Sequence, residues 1–151
     1  MIKIIFTATI ASLLAACASA PIEIKPFDKS VTTEADFNES WSKLVQFVST
    51  NDINVGTIEK DSGLITLSGD SLSPSLIKEY CDTVPPFLWV LSGGVAKGSI
   101  LMVEEDGFVM TTVNTRFSGT SYTSMTNPPQ YQTRPCNSRG AFEAAVLGAV
   151  Q

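Results

Sequence analysis

The dipeptide Asp106-Gly107 lies between two alternating runs, Ile100 to Glu104 and Phe108 to Phe117. Asp-Gly readily takes the positive φ angles of a tight turn whose twist matches antiparallel strands. The stretch predicts a long hairpin, and the rest of the chain must fold around that antiparallel pair. On the second strand, Val109, Thr111, Val113, Thr115 and Phe117 form a core face. Phe108, Met110, Thr112, Asn114 and Arg116 form the opposite face, which turns polar along its length. Arg116 could take an anion, but its first reading is a surface strand arginine.

A second hairpin is predicted upstream. Ile53, Val55 and Thr57 alternate with polar or small residues, Lys60-Asp61-Ser62-Gly63 is turn chemistry, and Leu64, Ile65 and Leu67 begin the return strand. Before it stands the clearest helix. Thr33 is its expected N-cap, with Asp36 three residues on. Phe37, Trp41, Leu44, Val45 and Val48 then fall on one face, and Glu39, Ser42, Lys43 and Gln46 on the other, before Asn51-Asp52 ends it. Ser73-Pro74 opens a short helix that brings Cys81 to its end. Asn137 or Ser138 caps a last short helix with Phe142, Ala145, Val146, Ala149 and Val150 on its apolar face. Ile22 to Lys25 reads as a short edge strand, and the Ser-, Thr- and Pro-rich stretch Ser118 to Pro135 as a long loop. Phe87 to Leu91 is a bulky apolar patch after two prolines. Core burial is its first reading; exposed, it would be the best contact surface, with Tyr122 and Tyr131 of the loop. The fold class is therefore α+β. An antiparallel sheet of about four to five strands carries a long N-terminal helix and a short C-terminal helix on one face.

The first residues are a cation, Lys3, an apolar run from Ile4 to Leu14, and a small-residue close. The run is short of the roughly 20 residues that span a bilayer, and the pattern is that of an export leader. Its close, Leu14-Ala15-Ala16-Cys17, resembles the lipobox of bacterial lipoproteins. The resemblance implies cleavage before Cys17, a diacylglyceryl group on its sulfur and usually a third acyl chain on its new amine. Two or three chains hold a protein at a membrane where one does so only marginally. Ala18 rather than Asp follows the cysteine, which in the lipoproteins it resembles points to the outer membrane. Residues 1–16 are then the leader, 17–30 an acylated tether and 31–151 a single periplasmic domain. The formal charge of −5 becomes −6 when Lys3 is lost, and the absence of a basic run argues against a nucleic-acid partner.

Acylation of Cys17 leaves Cys81 and Cys136. In an oxidising compartment these are expected to form a disulfide, two free thiols being the alternative. Such a bond closes a loop of about 55 residues and contributes on the order of 4 kcal/mol.

The chain has no histidine, which removes Ser-His-Asp and Cys-His catalysis and His-ligated metals. Gly93-Gly94 and Gly98 lack the context of a dinucleotide fingerprint. Carboxylates gather only at the hairpin turns, Glu59/Asp61 and Glu104/Glu105/Asp106. They read as solvated turns, without the spaced oxygens of a calcium loop. No cofactor and no metal is expected.

Trp41-x-x-Leu44 on the first helix and the hairpin Ile53 to Leu67 resemble the helix-grip domains of small periplasmic lipoproteins, including the C subunit of the β-barrel assembly machinery. The likeness extends over roughly Thr33 to Val150. The expected long loop and the Cys81/Cys136 pair depart from that pattern. The expected function is a non-enzymatic, membrane-anchored lipoprotein whose periplasmic domain binds an envelope protein. Alternatives are a small-ligand carrier with a cavity near Trp89 and Tyr122, and a cell-wall hydrolase using turn carboxylates.

Overall fold

In the computed structural model, residues 26–151 are described, apart from the side chain of Asp70. Cys17, the lipobox and the Ile22–Lys25 segment lie outside them. Six strands form one antiparallel sheet with three helices packed on it: β1 (Ser30–Thr33), α1 (Phe37–Thr50), β2 (Val55–Glu59), β3 (Leu64–Leu72), α2 (Pro74–Tyr80), β4 (Val90–Glu105), β5 (Phe108–Thr123), β6 (Gln130–Cys136) and α3 (Ala141–Ala149). The order across the sheet is β1-β5-β4-β3-β2, with β6 also on β5. Among the described residues, no helix is long and apolar enough to cross a membrane.

The sheet is built around the hairpin of β4 and β5. Each strand is 16 residues long. Asp106 and Gly107 take φ of 53° and 81°, as the tight turn requires. The hairpin runs well past the expected Ile100–Phe117, from Val90 to Thr123. Along β5 the alternation is as expected: Val109, Thr111, Val113 and Phe117 are buried, and Met110, Asn114 and Arg116 are exposed. The upstream hairpin also forms, with Gly63 at φ 65° in its turn. Gly63's carbonyl accepts the Met102 N–H at 2.8 Å, and a Cβ there would collide with the Met102 carbonyl.

Two strands depart from the sequence reading and raise the count above four to five. Ser30–Thr33 forms β1 against Val109–Thr112 of β5. Thr33 therefore belongs to a strand, and Asp36 caps α1 instead, accepting from Asn38 and Glu39 N–H at 2.8 and 3.2 Å. β-branched Val31, Thr32 and Thr33 suit a strand once an edge is offered. The expected long helix is consequently only 14 residues. The second departure is the stretch 118–135. It is not a loop: β5 continues to Thr123, a turn containing the cis Asn127-Pro128 bond follows, and β6 returns in register from Thr123↔Gln130 to Phe117↔Cys136. Alternating Ser, Thr and Tyr hide a strand from an apolar/polar pattern.

The core lies on one face of the sheet. Trp41, Leu44 and Val48 of α1, Ile77 of α2 and Phe142, Val146 and Leu147 of α3 pack on Ile65, Leu67, Ile100, Met102, Val109 and Val113. Each fully buried large apolar side chain contributes about 1.5–3 kcal/mol. Tyr80, Phe117 and Phe142 form a ring cluster at 5.7–6.3 Å that joins α2, β5 and α3. Cys81 and Cys136 form a disulfide with Cα atoms 5.8 Å apart. α3 is capped by Gly140 at φ 82° rather than by Asn137 or Ser138. Ser138 still serves it: its hydroxyl accepts the Gly140 N–H and donates to the buried Glu143 carboxylate, which also accepts from Thr115 Oγ1. Asn137 is bound instead to Asp82.

Candidate interaction surface

Among the described residues nothing covers the face of the sheet away from the helices, and its side chains change character along β4 and β5. At the end near the Asp106-Gly107 turn it is apolar: Leu101, Val103, Phe108 and Met110 are all exposed. In the middle it is polar and cationic, with Lys97 directly across from Arg116 and Ser99 across from Asn114. At the far end it is apolar and aromatic. There Val90 faces Tyr122 on β5, and Tyr122 faces Tyr131 on β6. The two tyrosine rings lie 5.9 Å apart.

The segment leading into β4 extends that aromatic end. The Trp89 N–H donates to the Pro86 carbonyl at 3.0 Å, closing a turn over Phe87 and Leu88. Pro85 and Pro86 keep this stretch out of a regular element. Leu88 sits at φ 67°. That conformation at the third turn position normally belongs to Gly or Asn, and costs a branched side chain about 1–2 kcal/mol. Phe87 is 89% exposed, Leu88 55%, Val90 56% and Tyr131 68%. The expectation of core burial for Phe87–Leu91 is thus overturned: Leu91 alone is buried, and Trp89 is half-buried. A turn carrying this many apolar side chains has no neighbouring helix to fold under, because all three helices occupy the other face.

Of the four candidate contact residues, Tyr122 and Tyr131 are brought together, Phe87 stands on the turn preceding β4, and Trp89 turns partly inward. Leu88 and Val90 belong to the apolar patch named from the sequence; Val84 and Met125, 68% and 71% exposed, were not anticipated. The unusual run Val84-Pro85-Pro86-Phe87-Leu88 was the signal available for Val84. Met125 carried none.

Other chemical groupings are weaker. An apolar cleft of about 490 Å³ opens between α1, α2 and α3, lined by Phe47, Leu67, Leu72, Leu76, Tyr80 and Phe142. It lies away from Trp89 and Tyr122, where the expected ligand cavity was placed. Burial, and then the charge of Glu79, hold the Tyr80 phenol above its usual value of 10.0. Glu59, Asp61, Glu104 and Glu105 are all exposed, Asp61 and Glu104 lining one shallow cleft between the two hairpin turns. Cys81, Asp82 and Cys136 bring three potential metal-donor atoms within 4.8 Å, but the disulfide uses both sulfurs. Asp82 accepts the Asn137 backbone and side-chain N–H groups at 2.7 and 3.0 Å. No protein-family model matches the chain, and neither does any curated protein.

Proposed function

We propose that the chain is a non-enzymatic lipoprotein, anchored through Cys17 at the outer membrane, whose periplasmic domain binds an envelope protein through its aromatic end. The observation that carries the reading is the Phe87–Leu88 turn: two large apolar side chains held in solvent on a backbone that one of them disfavours. Strain of this kind persists where the surroundings over-determine it, and clusters at binding sites. The adjoining Val90–Tyr122–Tyr131 row supplies the rigid amphipathic side chains that dominate protein interfaces. Among the described residues β6 pairs with β5 alone, so its other edge offers backbone groups to a partner, although Pro135 interrupts them.

A photo-crosslinking residue placed at Phe87 or Tyr131 in intact cells should give one discrete adduct with a second envelope protein. The same residue at Glu79 or Lys60 should give none. Identical patterns at all four positions would sink the reading. Cys17→Ser should release the protein from membranes or leave its leader uncleaved.

The second reading, a small apolar ligand, is favoured by the cleft between the three helices. Binding of a fluorescent fatty acid that Leu76→Trp blocks and Phe87→Ser leaves intact would select it over the first.

A further inference from the structure

We infer that the middle of the uncovered sheet face is a binding site for a phosphate-class oxyanion, formed by Lys29, Lys97, Arg116 and the backbone N–H of Thr115. The inference is independent of the aromatic end. The chain as a whole is acidic, at −5. Yet Lys29, Lys97 and Arg116 line one cleft of about 650 Å³, and among the described residues no carboxylate lines it with them. Lys97 and Arg116 are directly opposite in the ladder, an arrangement of like charges that destabilises a sheet. The ion pair formed among the described residues is Lys43–Glu39 on α1, far from this cleft in the fold; none of the three cations takes part in one. Lys29 instead stands 5.9 Å over the Phe27 ring. A repulsive trio with no counter-charge among the described residues is explained by an anion that binds between them.

The topology adds a backbone donor. β1 and β6 both lie on the same edge of β5, but β1 pairs only through Thr112 and β6 only from Phe117. The Val113 N–H reaches the Lys29 carbonyl at 2.8 Å, so Val113 points its backbone to that edge. Antiparallel alternation turns the N–H of Thr115 the same way, into the gap between the two strands. Ser99 and Asn114 add a hydroxyl and an amide on the cleft wall. Arg116 offers a planar fork suited to two oxygens of one anion, and the lysines act as point charges. A single carboxylate would neutralise one cation of three; a phosphate matches the site better, whether free and doubly charged or as singly charged phosphodiester headgroups crowded in a bilayer, with oxygens enough for all three cations.

The test uses the full chain carrying Cys17→Ser, so that no acyl group contributes. Amide shifts are followed during titration with inorganic phosphate, pyrophosphate, and vesicles of phosphatidylglycerol or phosphatidylcholine, at low salt. Saturable shifts centred on Lys97, Gly98 and Asn114–Arg116 are expected. Lys97→Ala/Arg116→Ala should weaken binding about tenfold or more and leave thermal stability equal or higher. Lys60→Ala/Lys78→Ala, with the same change in charge, should leave affinity within about twofold. Binding of the soluble anions alone supports the site and assigns it a soluble phosphate. Binding of phosphatidylglycerol vesicles that pyrophosphate displaces supports it and assigns a headgroup. Equal weakening by both double variants, shifts spread over all exposed lysines, or no binding of any probe would overturn the inference.

Discussion

Replacing both cysteines of the Cys81–Cys136 pair with alanine tests whether the disulfide acts on the unfolded chain or on the folded one. The bond joins residues 55 apart in sequence. Closing a loop of that size removes about 14 cal/mol/K from the unfolded ensemble, or about 4 kcal/mol at 25 °C. In the folded state the same junction is already held. The Asp82 N–H donates to the Asn137 carbonyl at 3.1 Å, the Arg139 N–H to the Tyr80 carbonyl at 2.9 Å, and Asp82 receives two hydrogen bonds from Asn137. The variant should therefore keep its near-ultraviolet spectrum and lose about 4 kcal/mol. With unfolding entropy near 2.1 cal/mol/K per residue over roughly 125 residues, the midpoint falls by about 15 °C. The urea m-value should rise, because an uncrosslinked unfolded chain exposes more surface. Asp82→Ala should add its own cost equally with and without the disulfide. A loss below about 1 kcal/mol with m unchanged would refute the chain-entropy argument. Strong non-additivity with Asp82→Ala would place the effect in the folded junction instead.

Three further outcomes follow from particular contacts. Leu88→Gly should stabilise the protein by about 1 kcal/mol in urea unfolding, since glycine meets no Cβ penalty at φ 67°; a loss would mean the leucine side chain makes contacts that outweigh its strain. Glu143→Ala strips the acceptor from Thr115 and Ser138 inside the core and should cost about 2–3 kcal/mol, with Glu143→Gln recovering part of it in the same assay. Tyr80 has its phenol held above 10.0 in the folded state, so the folded protein binds that proton more tightly than the unfolded chain. Its contribution is complete below pH about 10 and is lost as pH rises through the folded value. Alkaline unfolding curves should steepen there for the native chain, and less so for Tyr80→Phe.

The aromatic end shows why burial was harder to read than secondary structure. Phe87 to Leu91 is as apolar as any core strand, and the two prolines before it are its one local mark. What exposes it is the placement of all three helices on the opposite face, together with a turn that starts at Pro86. The stretch 118–135 failed for a related reason. Its strand residues are polar on both faces, and its partner is β5 itself, through a register visible only in the folded sheet.

Elements set by neighbours in sequence were legible: the Asp106-Gly107 turn, the β5 alternation, the α1 stripe and the Pro74 start of α2; the cysteine pair, 55 residues apart, was legible from cysteine count and compartment instead. Turn chemistry, side-chain period and capping act over a few residues, so the residues that cause them are adjacent in the chain. The Lys29–Lys97–Arg116 cleft was not legible. Arg116 alone drew notice as an anion ligand, because its companions come from the edge of β1 and from the facing strand β4. Charge repulsion between residues this far apart in sequence exists only once the sheet register has brought them together, and that register is a property of the tertiary fold.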